Sequence, residues 1–224
     1  MKSNIKKHKL LFLAILLIFS AVIGRFVLEE QLEHPIQLTV IMPRGSEQDV
    51  SPFMDGVRDC AQDYDLQLDV QYGSAWSEQQ WNQTMKEEKD LGSDGILLLY
   101  PERFLTVHRN DKTISRTYPI PVLCYSEEKY TCFPFYASFE QSSMQAGDMV
   151  ANSGLTEEQI KQIQTGSLRG VWVPNWYQLG YRCAETFYLH EKNRSAMEDV
   201  QADMLLITKK ELDAGTYDAL LLGE

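Results

Sequence analysis

The sequence predicts an α/β architecture of doubly wound parallel sheets, and three features carry that expectation. The runs ILLL (96–99), PVLCY (121–125) and ALLL (219–222) are almost wholly apolar, as strands are when helices cover both faces of a sheet. Between such runs, apolar residues recur every three to four positions, the period of a helix with one buried face. Gly, Pro, Ser and Asp sit at the borders, so the chain reads β-α-β-α-β-α-β.

Each element has a local reason. IQLTVIM (36–42) lies between Pro35 and Pro43 and is rich in β-branched residues, which marks a first strand. Ser51 and Pro52 offer an N-cap and a proline at the first helical position; Phe53, Val57, Cys60, Ala61 and Tyr64 follow at helical spacing. LQLDVQY (66–72) is the second strand. Ser77 and Gln80 form a capping box for a helix carrying Trp81, Met85 and Leu91, and Gly92 ends it in a left-handed turn. ILLL, IPVLCY (120–125) and CFPFYASF (132–139) are strands three to five. Residues 140–152 read as a helix, and Thr156 and Gln159 repeat the capping-box spacing. LRGVWVP (168–174) is a strand, Leu179, Cys183, Phe187 and His190 mark the inner face of another helix, and 198–207 form a further strand. YDALLLG (217–223) is a last buried strand.

Charge excludes one class of partner. The 224-residue chain carries a net charge of −11, and five of its 21 cations (Lys2, Lys6, Lys7, Lys9 and Arg25) precede residue 26. The remaining 16 cations face all 32 acids, which leaves the body near −16. Nucleic acid demands a basic patch, so it is no partner of this chain. The Lys-rich start precedes an apolar run at 10–24, about 22 Å as a helix, which reaches about 28 Å when extended to Leu28 with Arg25 snorkelling. Val22-Ile23-Gly24 makes a poor cleavage site, so the reading is an uncleaved transmembrane signal-anchor, with a cleaved signal peptide as the alternative. In either case the basic flank stays inside and the acidic body lies outside, an extracytoplasmic location at the cell membrane.

Chemistry-bearing motifs are sparse. No C-x-x-C pair, G-x-S-x-G, H-E-x-x-H or P-loop occurs, so no metal, cofactor or catalytic role is expected. An oxidising compartment permits a Cys124–Cys132 bridge across the polar CYSEEKYTC, the alternative being two half-buried thiols. Cys60 and Cys183 fall on apolar helix faces.

The segments TVIMP, FMDGVRDCAQDYDLQLDVQY, LGSDGILLLYP, PVLCY, QAGDMVAN and YDALLLGE stand in an order that resembles the type I periplasmic solute-binding proteins, the sugar-binding group shared with LacI-type ligand domains. The resemblance spans residues 36–224. It implies two α/β lobes joined by a hinge and closing on a small molecule. The family's sugar-contacting residues are replaced here. Asp49 and Val50 stand where a stacking ring is usual, Ser126 where an Asp accepts hydroxyls, Ser142-Ser143 where Asp-Asn precedes the second-lobe glycine (Gly147), and Tyr177 where an Arg precedes Gly180-Tyr181. Family members also recross the hinge beyond their YDALLLGE strand. That return is not found here, so the expectation is a second lobe short of strands and a first lobe short of its edge.

Ligands of such sheets sit beyond the carboxyl ends of the strands. The candidate ligand-binding residues are therefore Arg44, Asp49, Tyr100, Tyr125, Ser126, Asn175, Trp176 and Tyr177, with Glu47 and Glu102 at the same ends. Trp176 and Tyr177 could supply the missing stacking surface, and Arg44 beside Gly45 could grip a carboxylate. The expected organisation is a basic flank (1–9), an anchor (10–28), a spacer (29–35), an N-terminal lobe (36–139) and a partial C-terminal lobe (140–224). The expected function is solute binding, for a sugar or similar small polar ligand, beside an ABC permease or a membrane sensor kinase. The alternative is a degenerate or truncated module that binds a protein partner.

Overall fold

The computed structural model describes residues 34–47, 50–106, 118–126, 133–139, 149–151 and 155–215. The anchor segment, Asp49, Cys132, Ser142-Ser143, Gly147 and the 217–223 strand lie outside the described residues. Among the described residues, no helix is long and apolar enough to cross a membrane.

The elements in order are β1 (Gln37–Pro43), α1 (Ser51–Tyr64), β2 (Gln67–Gly73), α2 (Glu78–Leu91), β3 (Gly95–Leu99), a 3-10 turn (Pro101–Arg103), β4 (Val122–Tyr125) and β5 (Phe135–Phe139). They continue with β6 (Met149–Ala151), α3 (Glu157–Thr165), β7 (Gly170–Pro174), α4 (Trp176–Asn193), β8 (Val200–Ala202), β9 (Met204–Thr208) and α5 (Lys209–Asp213). Six strands pair in the order β2-β1-β3-β4-β5-β8, every pair parallel. A second sheet orders β6-β7-β9, with β7 parallel to β6 and antiparallel to β9.

The central strand shows why the run after Gly95 has no polar letter. Leu97 and Leu99 face α1 and α4, while Ile96 and Leu98 face Trp81 and Met85 of α2. Alternate residues therefore enter two separate cores, and a polar side chain on either face would be buried without a partner. The capping boxes at Ser77/Gln80 and Thr156/Gln159 form as the spacing predicts. A third, at Thr208/Glu211, opens α5. Gly92 caps α2 at φ 96°. Helix α1 starts one residue earlier than expected, with Val50 at the cap, which puts Ser51 inside the helix.

Three expectations need correction. Residues 149–151, within the expected 140–152 helix, are strand β6, held in parallel register with Gly170–Trp172. The expected single strand at 198–207 is two strands, because the chain passes from one sheet to the other at Asp203. Third, the chain returns to the first sheet at 174–175, ahead of the 217–223 segment beyond which the family's return was expected. Helix α4 and strand β8, placed by the sequence reading in the C-terminal lobe, pack on the first sheet, and β8 forms its edge beyond β5.

Two glycines fix that return. A Cβ on Gly56 would lie 2.0 Å from the carbonyl oxygen of Tyr177, and one on Gly180 would lie 2.0 Å from that of Phe53. The backbones of α1 and α4 thus touch with no side chain between them. Around this contact Val57, Cys60, Leu179, Cys183 and Phe187 make a dry core. Burial pushes the Cys60 thiol up to about 12 and raises that of Cys183 as well, so both are inert apolar fillers. Along the outer edge of the seam, Tyr177 donates to Asp59 (2.7 Å), Tyr181 to Asp63 (2.9 Å) and Tyr64 to Glu185 (3.0 Å). Each carboxylate holds its phenol neutral and raises its pKa.

On the other face of the sheet the core contains a polar knot. Glu88 of α2 is 2% exposed, and accepts from Thr39 Oγ1 (2.7 Å) and Gln71 Nε2 (2.5 Å). Ser93 lies 3.0 Å from Thr39 Oγ1 and donates to the Gly95 carbonyl. A buried carboxylate is tolerable only when donors surround it, and these come from β1 and β2.

The crossings between sheets are tied together. The backbone N–H of Asn175, between β7 and α4, donates to the Asp203 carbonyl between β8 and β9 (3.1 Å). Gln178 accepts from the Asp203 backbone N–H (2.9 Å) and donates to its carboxylate (3.3 Å).

Gly180→Ala is expected to cost about 1–3 kcal/mol or more, since the helices must part to admit a methyl group. Urea unfolding of the full chain checks this, and an unchanged midpoint would contradict the backbone contact. Thr39→Val should cost about 1–3 kcal/mol by leaving the Glu88 carboxylate short of a donor, whereas Thr39→Ser, which keeps the hydroxyl, should recover most of it. The seam phenols have raised pKa values, so their bonds contribute fully below about pH 10 and are lost as pH climbs through the raised values. Stability should therefore fall above about pH 10, and Tyr181→Phe should shallow that alkaline limb; a limb of unchanged slope would refute the assignment.

Candidate functional site

The carboxyl ends of the first sheet gather a set of rings. Strand β3 ends at Tyr100, a non-glycine residue held left-handed at φ 48°, ψ 53°, a conformation that costs about 1–2 kcal/mol for an ordinary side chain. Its N–H is anchored to the Tyr125 carbonyl at 2.9 Å. The left-handed step turns the chain sharply, and Pro101 then sets the 3-10 turn that carries Glu102 and Arg103 across the end of β4. Non-glycine strain at a strand end is a frequent mark of a functional site.

Tyr100 meets Tyr125 edge to face, with ring centroids 5.2 Å apart. Tyr125 also meets Trp176 at 5.1 Å and Phe139 at 6.1 Å, and Phe139 meets Trp176 at 4.8 Å. Every pair is close to perpendicular, the geometry favoured by ring quadrupoles. Tyr125, Phe139 and Trp176 are half-buried against the core shared with α1 and α4. Two polar contacts frame the rings. The Arg103 guanidinium lies 4.3 Å from the Tyr100 centroid, and Ser126 Oγ donates to Glu102 Oε2 at 2.7 Å.

Of the residues singled out from the sequence, Tyr100, Tyr125, Ser126 and Trp176 thus come together. The other candidates go elsewhere. Tyr177 points along the α1–α4 seam to Asp59, because consecutive residues of a helix face different ways. Asn175 is the N-cap of α4, its side chain accepting from the Gln178 N–H. Arg44 sits exposed at the tip of β1, its N–H bonded to the Gly73 carbonyl. Val50 is buried core, so the loop after β1 supplies no ring from that position. Asp49 lies outside the described residues. Of the expected disulfide, Cys124 is buried beneath the sheet among Ile96, Leu98 and Val122, and Cys132 lies outside the described residues.

Phe139 and Arg103 were not singled out from the sequence. Phe139 closes the fifth strand, so the strand-end rule that picked Tyr125 applies to it equally. Arg103 has no comparable signal, since only the turn at Tyr100-Pro101 brings it over the ring. Among the described residues, no group of three or more His, Cys, Asp or Glu side chains could hold a metal ion. An apolar hollow of about 380 Å³, lined by Tyr118, Ile120, Pro134 and Met197, lies at the opposite, amino ends of β4 and β5.

No family model matches the sequence, and no curated protein matches it in sequence. Solved structures do match the fold. A mutant XylFII–LytSN complex aligns with a TM-score of 0.56 at 9% identity, covering 80% of this chain and 99% of that one. An ABC transporter, LacI family transcriptional regulator from Brachyspira murdochii gives 0.56 at 9% identity, over 84% and 99%. A carbohydrate transporter solute binding protein from Agrobacterium radiobacter, in complex with D-arabinose, gives 0.53 at 9% identity, over 85% and 100%. With its six-stranded parallel sheet, its returning helix and strand, and these neighbours, the chain has the fold of the type I periplasmic sugar-binding proteins and LacI-type ligand domains.

Proposed function

We propose that this chain is a membrane-anchored, extracytoplasmic solute-binding protein for a sugar or similar small polar ligand, serving an ABC permease or a membrane sensor. The observation that carries the reading is the ring cluster of Tyr100, Tyr125, Phe139 and Trp176 at the carboxyl ends of the sheet, beside the 174–175 crossing. In this architecture that edge is where ligands bind, and the half-buried rings of Tyr125, Phe139 and Trp176 suit the apolar face of a sugar ring. A neighbour of the same fold is described in complex with D-arabinose. The extracytoplasmic placement and the tether rest on the basic flank and the apolar 10–28 segment.

A second reading has its own observation. Glu102 is engaged by Ser126 and Arg103 by the Tyr100 ring, so polar groups of the site already satisfy one another. That favours a module whose surface binds a partner protein, and one structural neighbour is a complex between two named proteins, XylFII and LytSN.

Thermal unfolding of the full detergent-solubilised chain separates the two readings. A ligand at about 100 times its Kd adds about 2.7 kcal/mol, which for a chain of this size raises Tm by roughly 5–10 °C. Such a rise with one pentose or hexose is the expected result. A cooperative transition that no pentose, hexose or small acid moves would reject solute binding and favour the partner-binding module.

A further inference from the structure

The first sheet ends in two unlike edges. Strand β8, on one side, is three residues long, and the carbonyl of its middle residue, Gln201, accepts from the Arg182 guanidinium. So short an edge offers little backbone to another strand. Strand β2, on the other side, is seven residues long, and among the described residues no strand pairs with its outer side. Its ladder to β1 uses alternate residues: the Gln67 N–H donates to the Ile36 carbonyl, and the Gly73 carbonyl accepts from the Arg44 N–H. In that parallel register the N–H and C=O groups of Leu68, Val70 and Tyr72 point away from the sheet. Gln67–Gly73 contains no Pro, Lys or Arg, the usual guards of a free edge. Its one charge, Asp69, accepts from Gln71 of the same strand at 3.2 Å.

We propose that β2 is the interface of a two-fold dimer of this chain, pairing antiparallel with β2 of a second copy about Val70. The inference stands apart from the ligand reading and needs no ligand. The strand is its own complement about that residue. With Val70 opposite Val70, Leu68 faces Tyr72 and Tyr72 faces Leu68. All three outward-pointing residues then exchange both backbone bonds, about six bonds in total. Leu68 and Val70 are half-buried on the core that holds α1 and α4, and Tyr72 is 41% exposed. Aromatic and aliphatic side chains opposite one another are favourable cross-strand pairs. On the other face Asp69 of each copy stands opposite Gln71 of the other. A slipped register with Leu68 opposite Val70 loses one of the three pairs and sets Asp69 directly against Asp69, which like charge disfavours. Charge and backbone therefore select the same register. The contact also closes on itself, since it uses β2 of both copies and leaves only the short β8 edges outside.

The test uses the full detergent-solubilised chain. In size-exclusion chromatography with light scattering, the wild type should carry twice the protein mass of one chain. Val70→Pro removes an N–H that the β1 ladder does not use, a substitution an edge strand tolerates; it should fold and run as a monomer. Tyr72→Lys, at an exposed position, should raise the dimer dissociation constant about tenfold, because each copy loses an aromatic cross-strand pair. In hydrogen exchange, the amides of Leu68, Val70 and Tyr72 should slow as protein concentration rises, while those of Gln67, Asp69 and Gln71 stay constant. A wild type that remains monomeric at about 0.1 mM, well above micromolar dissociation constants, overturns the proposal. So does a dimer that both substitutions leave intact, or one whose Leu68, Val70 and Tyr72 amides exchange independently of concentration, as association through another segment would give. Should Val70→Pro fail to fold, Tyr72→Lys and the exchange rates decide the matter.

Discussion

The contact on which the rest of the molecule depends is the backbone approach between α1 and α4 at Gly56 and Gly180. Each glycine faces a carbonyl of the other helix so closely that any side chain would collide. Helices at this separation bring their flanking residues into full contact, which is why Cys60, Cys183 and Phe187 are completely buried. Phe187 in turn lies over Gly95 at the start of β3, in space that a Cβ there would fill. The result is a fixed α4, and Trp176 at its first turn is set among Tyr125 and Phe139. The candidate site is thus a consequence of packing about one turn of helix away from it.

The route between the two sheets has the same economy. Among the described residues the chain passes between them at 174–175 and at Asp203, and these passages are joined by the Asn175 N–H and the two ends of the Gln178 amide. One glutamine satisfies the backbone and the side chain of Asp203 at once, at a point where the ladders of both sheets are interrupted. Among the described residues, these are the passages at which relative rotation of the sheets can be absorbed, because the strands on either side are locked into their registers.

Acidity shapes the remainder. The body is strongly negative, yet its carboxylates near the core are met by neutral donors rather than by cations. Glu88 is held by Thr39 and Gln71, and Asp59, Asp63 and Glu185 are met by tyrosine hydroxyls. Glu102 likewise accepts from a neutral hydroxyl, that of Ser126. A neutral donor satisfies an acceptor without itself adding a charge that must be desolvated.

By itself the sequence determined the local elements and the first sheet. Apolar runs with both faces buried, two capping boxes and the Gly92 cap are short-range signals, and from Gln37 to Tyr125 they produced their elements within a few residues. That Tyr100, Tyr125, Ser126 and Trp176 come together was legible because a parallel sheet aligns its strand ends on one edge. The tertiary structure alone decided where α4 and β8 belong, since nothing in a helix's own sequence says which of two sheets will receive it. It also split 198–207 at Asp203, turned Tyr177 away to Asp59, made β9 antiparallel and carried Glu102 to Ser126. These outcomes depend on contacts between residues far apart in the chain, such as Gly180 with Phe53 and Asp203 with Gln178, and periodicity along one segment cannot encode them.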